Sequence, residues 1–473
     1  MFMKDSGKIM AQQTLPPAPD MKGKNGVDEL LPFPRMLPLA VQHVLVMYMG
    51  AITTPLVIGR VLALPAAQTA TLIQADLLTS GAATILQTIG TRWLGARLPL
   101  MQGVSFATVS CVTGIASSVA SHDNEGLRTV YGAVIVAGLA AMLAAPLGRH
   151  IMRFFPPVVV GTSLAIMGLS LLPIAIDQIA SGTGAHAGRT MLVAMSVFAS
   201  AIVLSIIGRG VFKNLAVIIG VGVGLAVAFA AGQLTPHLSG MPPLLAPVKP
   251  LPFGWPIFQL MPSLSMIVIV AITWVESIGD AVVVGEMTGR HATPKLVSRL
   301  LRADGLATLL GGIMGSFPYT AFSENVALLS ITGVRSRWIV ALAGGILCVL
   351  GLSPFLATAV ASLPPAVAGG AGLMIFGTLM MVGIQMLASL DLKPGNKPFI
   401  VASVSIVLAM AIVMKPDFFI FMPKWTQPVL QSPVVTGCVS AIVLNILFSL
   451  REKKENTPAA PQERERSAPH HST

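Results

Sequence analysis

The chain predicts an all-α polytopic membrane protein of fourteen transmembrane spans, built as two inverted seven-span repeats. Three observations predict it. Of 473 residues, 54% are hydrophobic and only 10% charged, with mean hydropathy +0.79; an ordinary soluble chain carries about 25% charged residues. Apolar runs near the roughly 20 residues that cross a bilayer as a helix recur from end to end. The basic residues alternate between loops in the pattern that membrane insertion imposes. Hydrocarbon offers the backbone no water, so these runs are helical wherever they meet lipid.

The apolar segments fall at 37–58, 67–91, 103–121, 129–147, 157–180, 190–208, 214–232, 262–286, 300–315, 320–334, 338–357, 366–388, 398–414 and 433–450. The ninth and tenth are short and carry charges. With the amino terminus cytoplasmic, 24 of the 30 Lys and Arg residues lie in cytoplasmic segments; Arg60, Arg128, Arg189, Lys249, Lys415 and Lys424 lie outside. A miscounted span would reverse this bias beyond the error, so fourteen spans and two cytoplasmic termini are expected together. Fourteen divides into sevens, and a repeat with an odd number of spans is inverted in the membrane. The expected divisions are a tail at 1–34, a first repeat at 35–232, a second at 255–450 and a tail at 451–473. Both tails are polar, read as disordered and cytoplasmic, and the first lacks the apolar stretch of a signal peptide.

Other function classes are disfavoured. Cys111, Cys348 and Cys438 sit alone in apolar runs, without metal-ligand or redox spacing. The net charge of +11 follows the loops and implies no nucleic-acid partner. His470 and His471 read as part of a solvated tail. No nucleophile–base set, metal spacing or phosphate loop lies in the spans, so an enzyme is not expected.

Inverted-repeat transporters place their sites on interrupted segments at equivalent positions in the two halves. Span 3 opens LPLMQGVSFATVS and span 10 opens SFPYTAFSENVALLS. Each has a proline, Pro99 or Pro318, followed by a polar, small-residue break. Charged residues at membrane depth are functional candidates. In WVESIGD of span 8, Glu276 and Asp280 are four apart and share a helix face; like charges so placed suit a proton carrier, although Asp280 could equally cap or meet a basic residue. In LRADG, Asp304 lies two residues from Arg302, which leaves an ion pair and a coupling or supporting role both open. In SEN, Ser323 suits the N-cap of a half-helix whose positive end favours an electron-rich ligand edge. Glu324 and Asn325 occupy its first turn and fit a flat ring bearing adjacent N–H and C=O groups. His43, in QHVLVMY, reads as a supporting hydrogen-bonding residue. Asp177 is near a span end and open to solvation, and Asp76 in span 2 receives no role. Phe106 follows the span 3 break; stacking on a planar ligand and filling the core both stand.

At these residues the chain resembles the nucleobase–ascorbate transporter family, the second family of nucleobase:cation symporters. The family signature is Gln, Glu or Pro, then Asn, any residue, Gly, four residues, Thr, and finally Arg, Lys or Gly. Here ENVALLSITG, Glu324 to Gly333, matches every defined position but one, where Ala327 replaces the glycine. QHVLVMY, QGVSF, ESIGD, LRADG and SFPYTAFSEN followed by GVRSRW appear in order, and the likeness runs from about Leu37 to Leu450. The resemblance implies a core domain of spans 1–4 and 8–11, a gate domain of spans 5–7 and 12–14, short β-strands at the breaks of spans 3 and 10, and a homodimer in membrane lipid. It implies proton-coupled import of a purine nucleobase, xanthine or uric acid, across the inner or plasma membrane, with the proton as coupling ion and no cofactor. Uracil is the alternative substrate, and an anion exchanger or facilitator of the same fold the more distant reading. Glu276 is then the carboxylate that grips ring N–H groups and Glu324 the second anchor. Asn325 tunes specificity, Ser323 and Phe106 contact the ring, and Asp280, Asp304 and His43 couple or support. Glu324 stands where xanthine and urate permeases tend to have Gln and uracil permeases have Glu, while the flanking residues favour the purine branch.

Overall fold

The computed structural model describes residues 26–119, 124–148, 156–180, 187–209, 212, 215–233, 242–423, 430 and 432–455, with the side chains of residues 324, 327, 330, 331 and 452–455 outside that description. Each apolar segment becomes a helix, a strand–helix pair or, at 338–357, a bent pair of helices. In order these are α1 (Phe33–Val61), α2 (Ala66–Ile89), β1 (Gln102–Val104), α3 (Thr108–Ser118), α4 (Glu125–Ala144), α5 (Pro157–Ile179), α6 (Ala187–Ile207) and α7 (Ala216–Ala230). The second half supplies α8 (Leu260–Thr288), α9 (Pro294–Met314), β2 (Tyr319–Ala321), α10 (Ser323–Thr332), α11 (Arg337–Gly351), α12 (Pro354–Ala361), α13 (Pro365–Ala388), α14 (Lys397–Met414) and α15 (Pro433–Glu455).

Among the described residues eight helices are long and apolar enough to cross a membrane, nine if α11 and α12, bent by 78°, form one span. The remaining segments are short, as α3, α7 and α10 are, or too polar, as α2 and α9 are. α2 buries Asp76, Ser80, Thr84 and Gln87 inside the protein, so its polarity never meets lipid. Helix starts follow local chemistry. Proline occupies the first turn of α1, α5, α9 and α13, where its missing N–H costs no bond. Thr293 and Ser336 cap α9 and α11 by accepting from Leu296 N and Trp338 N.

The inverted repeat is visible in the packing. A shift of seven spans carries the α2–α11 contact onto the α9–α4 contact, and the α6–α7 contact onto α14–α15; all four are extensive, as is the α5–α13 contact between equivalent elements. Close crossings mirror each other too. A Cβ on Gly81 of α2 would lie 2.5 Å from Gly344 O of α11, and one on Gly138 of α4 would lie 2.9 Å from Gly305 O of α9. Small residues let these backbones approach, as membrane helix interfaces require. Contacts also sort into two groups. Helices α1–α4 and α8–α11 pack mainly with each other, as do α5–α7 and α13–α15, and the links between the groups are fewer.

At the centre, β1 and β2 pair antiparallel, with Gln102 opposite Ala321, Gly103 opposite Thr320 and Val104 opposite Tyr319. Phe322 N to Met101 O and Ser105 N to Pro318 O, both 3.1 Å, extend the ladder. All six strand residues are buried, the condition under which non-helical backbone is tolerated at membrane depth.

The segment at 1–34, expected to be disordered, needs correction over its last residues. Residues 26–32 lie against the start of α11 and α1 begins at Phe33. Ser336 Oγ donates to Glu29 O (2.6 Å), Arg337 N donates to Val27 O (2.9 Å), and Asp28 pairs with both Arg337 and Arg290. Hydroxyl and backbone donors and two guanidiniums at this end hold a segment whose composition alone reads as tail. Helix α15 likewise runs to Glu455, five residues into the second expected tail. Residues 1–25 and 456–473, including His470 and His471, lie outside the described residues.

Candidate functional site

The paired strands end in two half-helices, α3 and α10, and α8 runs beside both. This places the carboxylates of α8 between the breaks. Ser105 Oγ, just after β1, donates to Glu276 Oε2 (3.2 Å). Ser323 Oγ, at the start of α10, donates to both oxygens of Asp280, at 2.9 and 3.1 Å. The two acids predicted to share a face therefore do so, and each is engaged by a different break.

Ser323 departs from expectation. The N-cap position of α10 is Phe322, and no side chain caps the helix there. Ser323 is the first residue inside the helix, where its oxygen has no free N–H to accept from as a cap does, and its hydroxyl donates to Asp280. Asn325, buried, donates through Nδ2 to His43 O (2.9 Å), with His43 Nδ1 at 3.2 Å. Span 1 and span 10 are thus bound by the pair read separately from sequence. The backbone of Glu324 and Ala327 lies within α10; their side chains are outside the described residues.

Asp304 makes no ion pair with Arg302 among the described residues. Arg302 instead lies 5.9 Å from the Trp93 ring centre, and Asp304 points inward, fully buried. Gln87 Nε2 of α2 donates to Asp304 Oδ1 (2.7 Å). With its amide nitrogen facing them, Gln102 donates to Asp304 Oδ1 and Thr320 O, both 3.2 Å. Asp304 therefore fastens α2, α9 and both strands behind the site. A parallel network joins Ser277 Oγ to Thr320 Oγ1 (3.2 Å) and to Ala321 N, which donates at 3.0 Å.

Phe106 is buried, 6.5 Å from Phe322 and 5.9 Å from Phe376 between ring centres. Since Phe376 belongs to α13, this triad bridges the two packing groups. Asp76, left without a role by sequence, accepts from Tyr319 Oη (2.9 Å), Ser80 Oγ (3.2 Å) and Ser316 Oγ (3.3 Å), locking α2 to β2. Asp177 is exposed, as its position near a helix end suggested. Sequence reasoning missed Gln87, Gln102, Ser105 and Phe376. Gln102 and Ser105 stood inside the quoted QGVSF motif; Gln87 and Phe376 carried no local signal. Among the described residues no group of His, Cys, Asp and Glu could hold a metal, and the three cysteines are free.

Two strand-opened half-helices, a third helix presenting carboxylates to both, and a seven-span packing symmetry define a membrane transport protein of the inverted-repeat type. Solved structures share the fold. The transmembrane domain of the cyanobacterial bicarbonate transporter BicA aligns with TM-score 0.60 at 15% identity, over 88% of this chain and 100% of that one. SLC26A9 aligns with TM-score 0.57 at 13% identity, over 86% and 65%. At such identities the likeness concerns the fold alone. The chain belongs to the Permease family whose profile matches residues 34–418, the nucleobase–ascorbate transporters that its motifs resemble. Similar proteins include the uric acid transporter UacT of Escherichia coli (strain K12), 37% identical over 89% of this chain and 88% of that protein. The uric acid permease PucJ of Bacillus subtilis (strain 168) is 36% identical over 89% and 94%, and the xanthine permease of the same organism 34% over 89% and 95%. This is a multi-pass membrane permease and not an enzyme.

Proposed function

We propose that the protein imports a purine nucleobase, uric acid or xanthine, together with a proton. The observation that carries this reading is the separate engagement of Glu276 and Asp280 by Ser105 and Ser323, one at each break. An acidic site between two helix openings suits a neutral ring with N–H groups; an anion would call for a facing cation. The purine assignment rests on the relatives, which are named for uric acid and xanthine. In this reading Glu276 and Glu324 hold the ring edges, Asn325 and Ser323 shape the polar end, and Phe106 closes one face. Asp280, Asp304 and His43 couple or support.

Spans 1–4 and 8–11 act as a core moving against a gate of spans 5–7 and 12–14, within a homodimer whose termini face the cytoplasm. The Phe106–Phe376 contact lies on that boundary. Moving one charge through about 100 mV supplies roughly 2.3 kcal/mol, which at 1.4 kcal/mol per decade sustains roughly forty-fold accumulation.

The test is uptake of radiolabelled uric acid, xanthine and uracil by cells lacking their own permeases, with and without an uncoupler, repeated for Glu276→Gln and Glu324→Gln. Purine uptake abolished by the uncoupler is expected, with Glu276→Gln reducing it strongly at normal protein level. Transport of uracil alone overturns the substrate assignment, undiminished uptake with the uncoupler removes proton coupling, and full activity of Glu276→Gln removes that residue from the site.

A further inference from the structure

A second built feature lies away from the strands. A recess of about 660 Å³ opens between the loop after α2, the 3-10 turn that ends α4, and the first turns of α9. Arg92, Lys295, Arg299 and Arg302 line it, with Trp93 and the hydroxyl of Ser298, and no acid is among its lining residues. None of the four cations forms an ion pair among the described residues. Arg299 feels two further like charges, Arg97 and Arg290, and its Nε is buried without a partner in the described structure. The nearby carboxylate, Asp28, is already committed to Arg290 and Arg337. Four cations converging on a recess with no acid in its lining give it a positive potential that favours an anion.

The surroundings indicate its source. Leu139, Leu143 and Leu147 are all exposed, at 50, 74 and 55%. Their spacing of four puts them on one face of α4 and its terminal turn, a stripe that runs to the recess wall at Ala145–Pro146. Trp93, 66% exposed, stands at the mouth, as tryptophans do at the boundary of lipid and water. An apolar stripe ending in a basic recess fits acyl chains below and a phosphate above.

We propose that this recess binds the phosphate of an anionic phospholipid headgroup, on the face that the charge bias assigns to the cytoplasm. Arg299 and Arg302 hold the phosphate oxygens, Arg92 and Lys295 complete the field, and the acyl chains lie along the leucine stripe. The bound lipid fastens the α2 loop, α4 and α9, which carry Gln87 and Asp304 behind the transport site.

The test uses the full chain in neutral detergent, stripped of lipid. Its thermal unfolding midpoint is followed against phosphatidylglycerol, phosphatidylcholine of the same chains, and inorganic phosphate. Phosphatidylglycerol is expected to raise the midpoint saturably and phosphatidylcholine not. Arg299→Gln with Arg302→Gln should weaken the apparent affinity roughly 30-fold, from about 1 kcal/mol per basic residue near an anionic surface and 1.4 kcal/mol per decade. Arg335→Gln, exposed and outside the recess, should change nothing. Should the double variant fail to fold, Arg92→Gln with Lys295→Gln, both exposed, carries the same expectation. Equal effects of the two lipids, an unaltered response in the variants, or equal weakening by Arg335→Gln overturns the site. Saturation by inorganic phosphate without a response to phosphatidylglycerol overturns the lipid source.

Discussion

Gly103→Ala is the sharpest probe of how the strands set the site. Gly103 lies in β1 opposite Thr320. A methyl group there would collide with the Phe322 ring, with Phe322 Cδ2 at 2.8 Å and Met47 Cε at 2.7 Å. Carbon pairs settle at about 3.5–4.0 Å, so the ring must move by close to an ångström. It has nowhere to go on its other side: a Cβ on Gly50 would lie 2.5 Å from Phe322 Cε1 and 3.2 Å from Cζ, so the ring already touches bare backbone there. Phe322 is buried and its N–H is held by Met101 O, so the displacement passes to Ser323 and the start of α10. Overpacking of this kind costs about 1–3 kcal/mol, which at 1.4 kcal/mol per decade is a roughly 5- to 140-fold loss of the productive arrangement. Initial uptake of uric acid or xanthine at low substrate concentration, normalised to membrane abundance, should fall by that factor. Phe322→Leu should relieve it, because the double variant removes the ring that the methyl strikes. A coupling of about 0.5–3 kcal/mol is expected between the two changes. Full uptake by Gly103→Ala, or no recovery in the double variant, would refute the reasoning.

Three further outcomes follow from the same contacts. Ser323→Ala deletes both hydrogen bonds to Asp280; bonds to charged groups are worth about 1.5–3 kcal/mol, so uptake should drop about tenfold or more while Ser323→Thr retains most of it, and wild-type rates for the alanine variant would exclude the contact from transport. Tyr319→Phe removes the shortest bond to Asp76 and should cost about 1–2 kcal/mol, read as a lower unfolding midpoint in detergent; an unchanged midpoint would show that Ser80 and Ser316 suffice. Asp28→Asn tests the clamp of residues 26–32. Partial burial works to raise the Asp28 carboxyl, but the hydrogen bond from Arg337 and the charges of Arg290 and Arg337 outweigh it and hold it below its ordinary 3.8. A depressed carboxylate stabilises above its unfolded value and loses that contribution as pH falls through the folded one. Asp28→Asn should therefore lower the midpoint at pH 7, and the gap to wild type should close as the pH drops below about 4; a gap independent of pH would contradict the clamp.

The breaks were legible because proline and small residues interrupt two otherwise apolar runs at equivalent places. Glu276, Asp280, Asp304 and His43 were legible because a polar group at membrane depth is costly and therefore conspicuous. The Asp304–Arg302 ion pair was a reasonable alternative from spacing alone. It fails because residues two apart on a helix point to different sides: Asp304 faces the strands and Arg302 faces Trp93. Ser323 as a cap failed for a similar reason, since local chemistry cannot register a carboxylate arriving from 43 residues away.

The sequence by itself determined which stretches are apolar helices, where two of them break, and which acids stand out within them. These are local properties, written in hydropathy, proline and charge over a few turns. Only the tertiary structure decided partners. Ser105 reaches Glu276 across 171 residues, Gln87 reaches Asp304 across 217, Tyr319 reaches Asp76 across 243, and Asn325 reaches His43 across 282. No period or motif encodes such pairings; they arise because the fold lays span 3 beside span 8, span 2 against spans 9 and 10, and span 1 against span 10. Buried polar groups then take the partners that this juxtaposition brings, since the hydrocarbon around them offers none.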